Sequence, residues 1–150
     1  MRLTSVIPAA AVIGLAVAMP FAALGATTTM VSNPGQRFIG SPIADKWVGS
    51  RLDDRASGMA GSDRLNGVAG NDAINGGDGN DWIWGGFGND TLTGGMGADR
   101  MSGGAGDDRI RSSELDGKVD IISCGPGMDS VTIRMGDKAR ADCERVKLVI

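Results

Sequence analysis

The sequence predicts an all-β solenoid built from a nine-residue repeat, and three regularities of position indicate this fold. Glycine opens each of eight consecutive phrases, at Gly40, Gly49, Gly58, Gly67, Gly76, Gly85, Gly94 and Gly103. Aspartate occupies the sixth place of every phrase, at Asp45, Asp54, Asp63, Asp72, Asp81, Asp90, Asp99 and Asp108. The eighth place is always apolar, with Trp47, Ala56, Leu65, Ile74, Ile83, Leu92, Met101 and Ile110. A fixed period of this length indicates stacked copies of one small unit, each stabilised by its neighbours.

The composition also favours a repeat fold over a conventional globular core. Glycine accounts for 25 of the 150 residues, far above its usual share of about 7%. Large side chains are scarce, with three Trp, three Phe and no Tyr or His. Because most of the glycines follow the nine-residue period, they indicate an ordered repeat rather than a flexible low-complexity chain.

Residues 1–26 have the three-part layout of a secretory signal peptide. A short basic start at Met1-Arg2 precedes an apolar run over residues 6–19, and small residues predominate over 22–26. The alternative, a membrane anchor, is disfavoured because the apolar run is shorter than the roughly 20 residues that a spanning helix needs. We therefore expect a secreted, extracellular protein that does not insert into a membrane after the signal has been removed.

Three further regions follow the signal. Residues 27–39 are expected to form a leader that caps the first coil, and residues 40–111 carry the repeats. The phase breaks once, because Asp120 follows Asp108 by twelve rather than nine residues, which indicates an insertion of three residues. Residues 112–150 are therefore interpreted as degenerate repeats with a C-terminal cap, which a solenoid needs to cover the open end of its core.

The two cysteines predict one disulfide bond that ties this cap. Cys124 and Cys143 are the only cysteines in the chain, and an even number in an exported protein indicates a bridge. The alternatives are two free thiols or a metal-binding pair. A zinc site would need histidine or further cysteine ligands, which the chain does not contain.

Each phrase is expected to consist of a tight turn followed by a short strand. Glycines at the first, second and fourth places allow backbone conformations with positive φ. The last three residues are expected to be extended, with the eighth side chain facing inward. One turn and one strand reverse the chain direction, so two phrases, or 18 residues, complete one coil. Successive coils then stack at the spacing of neighbouring strands, about 4.8 Å.

The sixth-place aspartates would then form two files, one along each edge of the solenoid. Alternate phrases contribute to a first file (Asp45, Asp63, Asp81, Asp99) and a second file (Asp54, Asp72, Asp90, Asp108). Neighbouring carboxylates in a file would lie about 5 Å apart and repel each other by about 1–3 kcal/mol. Aspartate is a common turn residue for conformational reasons alone, but eight at one fixed place favour a cation between them.

Calcium is the cation that best suits such a file. Ca²⁺ prefers six to eight hard oxygen ligands, which two carboxylates and the carbonyls of adjacent turns can supply, whereas Mg²⁺ requires a tighter octahedral site. The first two turns lack glycine at the second and fourth places, so Asp45 and Asp54 are expected to bind weakly or not at all. Because the core is small, binding of several Ca²⁺ ions and folding are expected to be one event. The predicted metal ligands are Asp63, Asp72, Asp81, Asp90, Asp99 and Asp108.

The phrase resembles the nonapeptide Gly-Gly-x-Gly-x-Asp-x-(apolar)-x of the hemolysin-type, or RTX-type, calcium-binding repeats. The resemblance is close over residues 76–111 and looser over 40–75. It implies a parallel β-roll, a right-handed β-solenoid that binds Ca²⁺ in its turns. The C-terminal segment with Cys124 and Cys143 looks like the end of short exported calcium-binding repeat proteins of actinobacteria. The toxin and protease domains of large family members have no counterpart in this sequence, so the resemblance implies neither activity.

The residue types argue against an enzyme. Without histidine, the chain cannot form a Ser-His-Asp triad, a Cys-His pair or a histidine-zinc site. The net charge of −3 at pH 7 and the scattered basic residues argue against a nucleic-acid partner. We expect a monomeric calcium-binding structural or interaction module.

The alternative function is calcium-dependent adhesion, or recognition of a glycan or cell wall, through Trp82 and Trp84. These residues flank the inward-facing Ile83 and are expected to point outward together. Exposed aromatic side chains often mark binding surfaces. Two tryptophans that pack along the face of the solenoid, or that are covered by the leader, would have no such role.

Overall fold

A computed structural model of the chain describes residues 29–31, 35, 37–112 and 116–150. The predicted signal peptide, residues 1–26, lies outside the described residues, as do six of the thirteen residues of the predicted leader. Within the described part, no helix is long and apolar enough to cross a membrane.

The described chain forms two parallel β-sheets of seven strands each. The strands are β1 (Thr29–Val31), β2 (Arg37–Ile39), β3 (Lys46–Val48), β4 (Arg55–Ala60), β5 (Arg64–Ala69), β6 (Ala73–Asp78), β7 (Trp82–Phe87), β8 (Thr91–Met96), β9 (Arg100–Ala105), β10 (Arg109–Arg111), β11 (Ile121–Ser123), β12 (Ser130–Arg134), β13 (Lys138–Ala139) and β14 (Arg145–Val149). The first sheet has the order β1-β3-β5-β7-β9-β11-β13, and the second sheet has the order β14-β12-β10-β8-β6-β4-β2. Consecutive strands therefore alternate between the sheets, which makes a parallel β-solenoid of about six coils and confirms the predicted fold class.

The strand register confirms that two phrases complete one coil. Leu65 pairs with Ile83, 18 residues later, and Ile83 pairs with Met101 after the same interval. Met101 pairs with Ile122, which is 21 residues later. The interval grows by the three inserted residues that the sequence predicts, and the eighth-place side chains stay aligned across the insertion.

The strands of the middle coils are longer than expected. The sequence predicts three extended residues per phrase, but each of β4 to β9 has six. The additional residues are the first three places of the following phrase, which pair in register with the equivalent residues one coil away, as Gly77 does with Gly95. Because identical turns stack directly on one another, their backbones continue the hydrogen-bonded ladder.

The core is one stripe of eighth-place side chains between the two sheets. Its buried members, together with one cysteine, are Phe38, Trp47, Ala56, Leu65, Ile74, Ile83, Leu92, Met101, Ile110, Ile122, Cys124 and Val131. Phe38, which the sequence places in the leader, stacks on Trp47 with ring centroids 5.8 Å apart.

The C-terminal region contains the predicted disulfide bond. Cys124 and Cys143 are joined, with their Cα atoms 5.2 Å apart. The bond ties the end of β11 to the segment before β14. Strand β14 covers Val131, which is fully buried, while its own inward residue Val146 remains 44% exposed.

Candidate metal centre

The sixth-place aspartates lie inside the turns, in the two files that the sequence predicts. All eight are buried, from Asp45 at 6% exposed to Asp81 at 0%. Each backbone N–H in a file donates to the side chain of the next coil, as Asp63 does to Oδ1 of Asp81 at 2.8 Å. The same bond, also at 2.8 Å, joins Asp72 to Asp90 in the second file. Each carboxylate is therefore held in place by the coil before it.

Both files extend beyond the regular repeats. The first file continues through Asp120 to Asp137, whose Oδ1 accepts the N–H of Asp120 at 3.0 Å. The second file continues through Asp129 to Glu144, whose Oε2 accepts the N–H of Asp129 at 3.0 Å. The sequence analysis missed Asp137 and Glu144 as file members, because they follow their partners by 17 and 15 residues rather than 18. The sequence signal that could have identified them is an acidic residue near the position where each file would continue.

The first-place glycine has a different role from the one expected. Its predicted positive φ is wrong, because positive φ occurs at the second and fourth places, as at Gly77 (106°) and Gly79 (128°), and not at Gly76. A Cβ atom at Gly76 would instead overlap Oδ2 of Asp81 and the carbonyl oxygen of Gly94. Glycine is required at this place because two oxygen atoms occupy the space of a side chain.

The outer oxygen of the carboxylate, Oδ2, divides the aspartates into two groups. In the later phrases and at Asp129, Oδ2 is buried and accepts no hydrogen bond from the described residues. The members of this group are Asp63, Asp72, Asp81, Asp90, Asp99, Asp108 and Asp129. A buried carboxylate oxygen without a partner is costly, so the arrangement requires a proton or a cation.

The first two phrases satisfy Oδ2 within their own turn. Ser41 donates its N–H to Oδ2 of Asp45 at 2.5 Å and its hydroxyl at 3.0 Å. Ser50 donates its N–H to Oδ2 of Asp54 at 2.7 Å. Both serines occupy the second place, where the later phrases have residues with positive φ.

Burial raises the pKa values of the aspartates in the later phrases. The pKa rises from 3.8 to about 7 for Asp90 and Asp99 and to about 6 for Asp63 and Asp72. Loss of hydration is the largest cause, the donated backbone N–H acts in the opposite direction, and neighbouring carboxylates of the same file raise the pKa further. Without a cation, these groups therefore keep their protons to a higher pH than an exposed aspartate does.

A second ladder of polar side chains runs outside the aspartate files. The side-chain oxygen of Asn71 accepts the N–H of Asn89, and that of Asn89 accepts the N–H of Asp107, both at 2.8 Å. Asp53 and Asn80 bond in the same way to the coil that follows. The sequence analysis missed this fifth-place pattern of Asn and Asp, which aligns the turns independently of the files.

The described residues contain no cluster of three or more His, Cys, Asp or Glu side chains placed to hold a metal by themselves. Further donors would have to be backbone carbonyls. The overlap at Gly76 identifies one, because the carbonyl oxygen of Gly94 and Oδ2 of Asp81 both face the same small volume. Hard oxygens of this kind are the ligands that Ca²⁺ accepts, so the residues present fit this ion.

A parallel β-solenoid with stacked carboxylate turns defines a class of repeat proteins, and sequence comparison finds a known repeat within one segment of the chain. Residues 48–83 and 75–110 match the family model of the RTX calcium-binding nonapeptide repeat (4 copies). The segment 48–110 is thus made of RTX calcium-binding nonapeptide repeats. No curated protein and no solved structure gives a significant match to the chain.

Proposed function

We propose that the protein is a secreted calcium-binding structural module whose later turns fold around several Ca²⁺ ions. The ligands are Oδ2 atoms of the six predicted aspartates, together with Asp129. One observation carries the proposal: among the described residues, these are the turns of the regular phrases in which a buried Oδ2 has no hydrogen-bond donor. The ligands proposed from the sequence are Asp63, Asp72, Asp81, Asp90, Asp99 and Asp108.

The electrostatics of the files support a divalent ion rather than protons at neutral pH. A Ca²⁺ ion between two coils would offset the repulsion of neighbouring carboxylates and the cost of their burial. It would supply only charge and coordination, and the chain would supply the rigid oxygens. Because these oxygens converge only when the coils stack, binding and folding are coupled.

The module is proposed to have no catalytic role. The sequence lacks histidine, and the buried aspartates are occupied in holding the turns. The predicted signal peptide supports export from the cell. Extracellular calcium-binding modules typically bind Ca²⁺ with dissociation constants up to the millimolar range. The proposed state is a monomer.

Isothermal titration of the metal-free protein with CaCl₂, and separately with MgCl₂, tests this function. We expect several Ca²⁺ ions per chain and much weaker binding of Mg²⁺, because Mg²⁺ loses its water reluctantly and needs octahedral geometry. Absence of calcium binding, or equal affinity for the two ions, would contradict the proposal.

A second candidate function is recognition of a glycan or cell-wall polymer by the outer face of the first sheet. Trp82 and Trp84 are 39% and 38% exposed on β7, next to each other. Their rings contact edge to face, with centroids 5.7 Å apart. Two partly exposed indoles held rigidly on a sheet are a surface of the kind that partners use.

A further inference from the structure

Between β3 and β13, the outward places of the first sheet carry basic side chains and no acidic ones. From β3 to β13, the seventh and ninth places of each phrase point outward. They are occupied by Lys46, Val48, Arg64, Asn66, Trp82, Trp84, Arg100, Ser102, Ile121, Ser123, Lys138 and Arg140. The whole chain has a net charge of −3, so this face differs in sign from the average. The register aligns five of the scattered basic residues on this face, and the outward places of the second sheet also carry basic residues, such as Arg55 and Arg109.

Trp82 organises two of these cations. The guanidinium of Arg64 lies 5.6 Å from the centroid of its ring, and that of Arg100 lies 5.4 Å away. Arg64 and Arg100 are on the strands at either side of Trp82, so the indole lies between them. Such contacts restrict both guanidinium groups. Trp84, by contrast, has the small residue Ser102 as its neighbour on β9.

A cleft opens beside Trp84, because the neighbouring strands carry small residues. Trp84 pairs with Ser102, which pairs in turn with Ser123. The cleft has a volume of about 330 Å³, with the two indoles on one side and Arg100 and Arg140 among its lining residues. One carboxylate approaches its margin, since the hydroxyl of Ser123 donates to Oδ2 of Asp142 at 2.8 Å.

We propose that this cleft binds one sugar unit of an acidic polysaccharide, a proposal that rests on the second candidate function above. The apolar face of a sugar ring packs on the indole of Trp84. The anionic group of the sugar is bound by Arg100 and Arg140, whose planar guanidinium groups match the geometry of a carboxylate. Further units of the polymer extend along the line of basic side chains toward Lys46.

The same surface is less suited to a nucleic acid. Single-stranded nucleic acids are bound by successive aromatic platforms along a basic groove, whereas here both indoles border one cleft and that of Trp82 also lies between two arginines. The turns that flank the sheet also carry exposed acidic side chains such as Asp53, Asp78 and Asp107. They repel a polymer with dense phosphate charge more than one with a single charge per sugar unit.

The test is titration of the calcium-loaded full chain with hyaluronan oligosaccharides, which carry carboxylates. The matched control ligand is the carboxyl-reduced oligosaccharide, and single-stranded DNA is a third ligand. Trp84→Ala and Arg100→Ala are each expected to weaken binding about tenfold or more. Arg109→Ala is the control variant, because Arg109 occupies the same place of the next phrase but lies in the second sheet; it is expected to change affinity less than about twofold.

Three results would overturn the proposal: no binding by the parent protein, equal losses at Arg100 and Arg109, or equal or tighter binding of the reduced sugar or the DNA. A far-UV spectrum of each sample separates this failure from failure of the calcium proposal. If the protein is folded in calcium but does not bind hyaluronan, only the glycan proposal is contradicted. If the protein is folded and binds hyaluronan in EDTA, only the calcium proposal is contradicted.

Discussion

The first two turns of the solenoid and the six that follow have the same aspartate but satisfy it differently. In the turn of Asp54, the N–H of Ser50 donates to Oδ2. In the turn of Asp72, the second-place residue is Val68 with a φ of 81°, and Oδ2 has no donor. The backbone of the second place thus decides whether Oδ2 finds a donor within its own turn or needs a further positive charge.

The comparison shows how a repeat can combine two kinds of coil. The early turns have Ile43 and Leu52 at the fourth place, where the later turns have glycine with positive φ. They are expected to fold without metal beside the stacked Phe38 and Trp47. The later turns contain buried carboxylate oxygens without a hydrogen-bond donor among the described residues. They are therefore expected to depend on calcium.

Acidification should replace calcium in the later turns, and this is the largest effect we expect because all of them respond together. The folded-state pKa of Asp90 and Asp99 is raised from 3.8 to about 7, so the folded chain without metal binds protons more tightly than the unfolded chain. The resulting penalty is absent below pH 3.8 and grows as the pH rises toward 7. In EDTA, the β-sheet content measured by far-UV circular dichroism should therefore rise on going from pH 7.5 to pH 5.

In the presence of calcium, the stability of the fold should instead fall on acidification, because ligand carboxylates must be ionised to bind the ion. The stabilisation by calcium is therefore expected to shrink over the same pH interval. A β-sheet content in EDTA that falls or stays constant on acidification would show that the carboxylates of the later turns do not destabilise the metal-free fold.

Removing one carboxylate should separate the two kinds of turn. Asp81→Ala deletes a proposed ligand between two occupied neighbours of the first file, and we expect a loss of about 3–5 kcal/mol in calcium binding. Asp45→Ala deletes an oxygen that Ser41 already satisfies, and we expect less than a threefold change in calcium affinity, or roughly 0.6 kcal/mol. Calorimetric titration of the two variants beside the parent measures the difference. Equal losses at Asp45 and Asp81 would contradict the division.

Glycine at the second place should stabilise those later turns that lack it. Val68 has a φ of 81° and Met59 a φ of 78°, a conformation that costs a β-branched or long side chain about 1–3 kcal/mol. After the entropic cost of glycine, Val68→Gly should raise the unfolding free energy in calcium by about 1 kcal/mol. Ser50→Gly is the matched control and should lower it, because Ser50 does not have positive φ. Urea unfolding compares the variants, and a destabilised Val68→Gly would show that the turn does not impose this conformation.

The smallest expected effect is also the most specific. Ser50→Gly combined with Leu52→Gly gives the second turn the glycines of the later turns, so Oδ2 of Asp54 can lose its donor. The variant should bind one more Ca²⁺ ion than the parent, between Asp54 and Asp72. Adding Asp54→Asn should remove that ion again. An unchanged number of ions, measured by calorimetry, would mean that the second-place backbone does not create the site.

The regular features of the molecule were predictable because they repeat. The eighth-place core, the two files and the three-residue insertion follow from counting places, and the cysteine pair predicted the bond between Cys124 and Cys143. The alternation of strands between two sheets follows from one turn and one strand per phrase.

Features that depend on contacts between coils were not predictable from one phrase. The need for glycine at Gly76 arises from Oδ2 of Asp81 and from a carbonyl one coil away. The serine bond to Asp54 depends on the φ of a single residue, which composition does not specify. Phe38 joins the core from a phrase without an aspartate at the sixth place.

The central claim is that the later turns fold only when calcium occupies their carboxylate files. Far-UV circular dichroism of the purified protein, recorded in EDTA, during calcium titration at pH 7.5 and after excess EDTA is returned, tests it most directly. The predicted result is a spectrum that gains β structure as calcium reaches millimolar concentration and loses it again on chelation. A β-sheet spectrum that is identical in EDTA and in calcium would contradict the account.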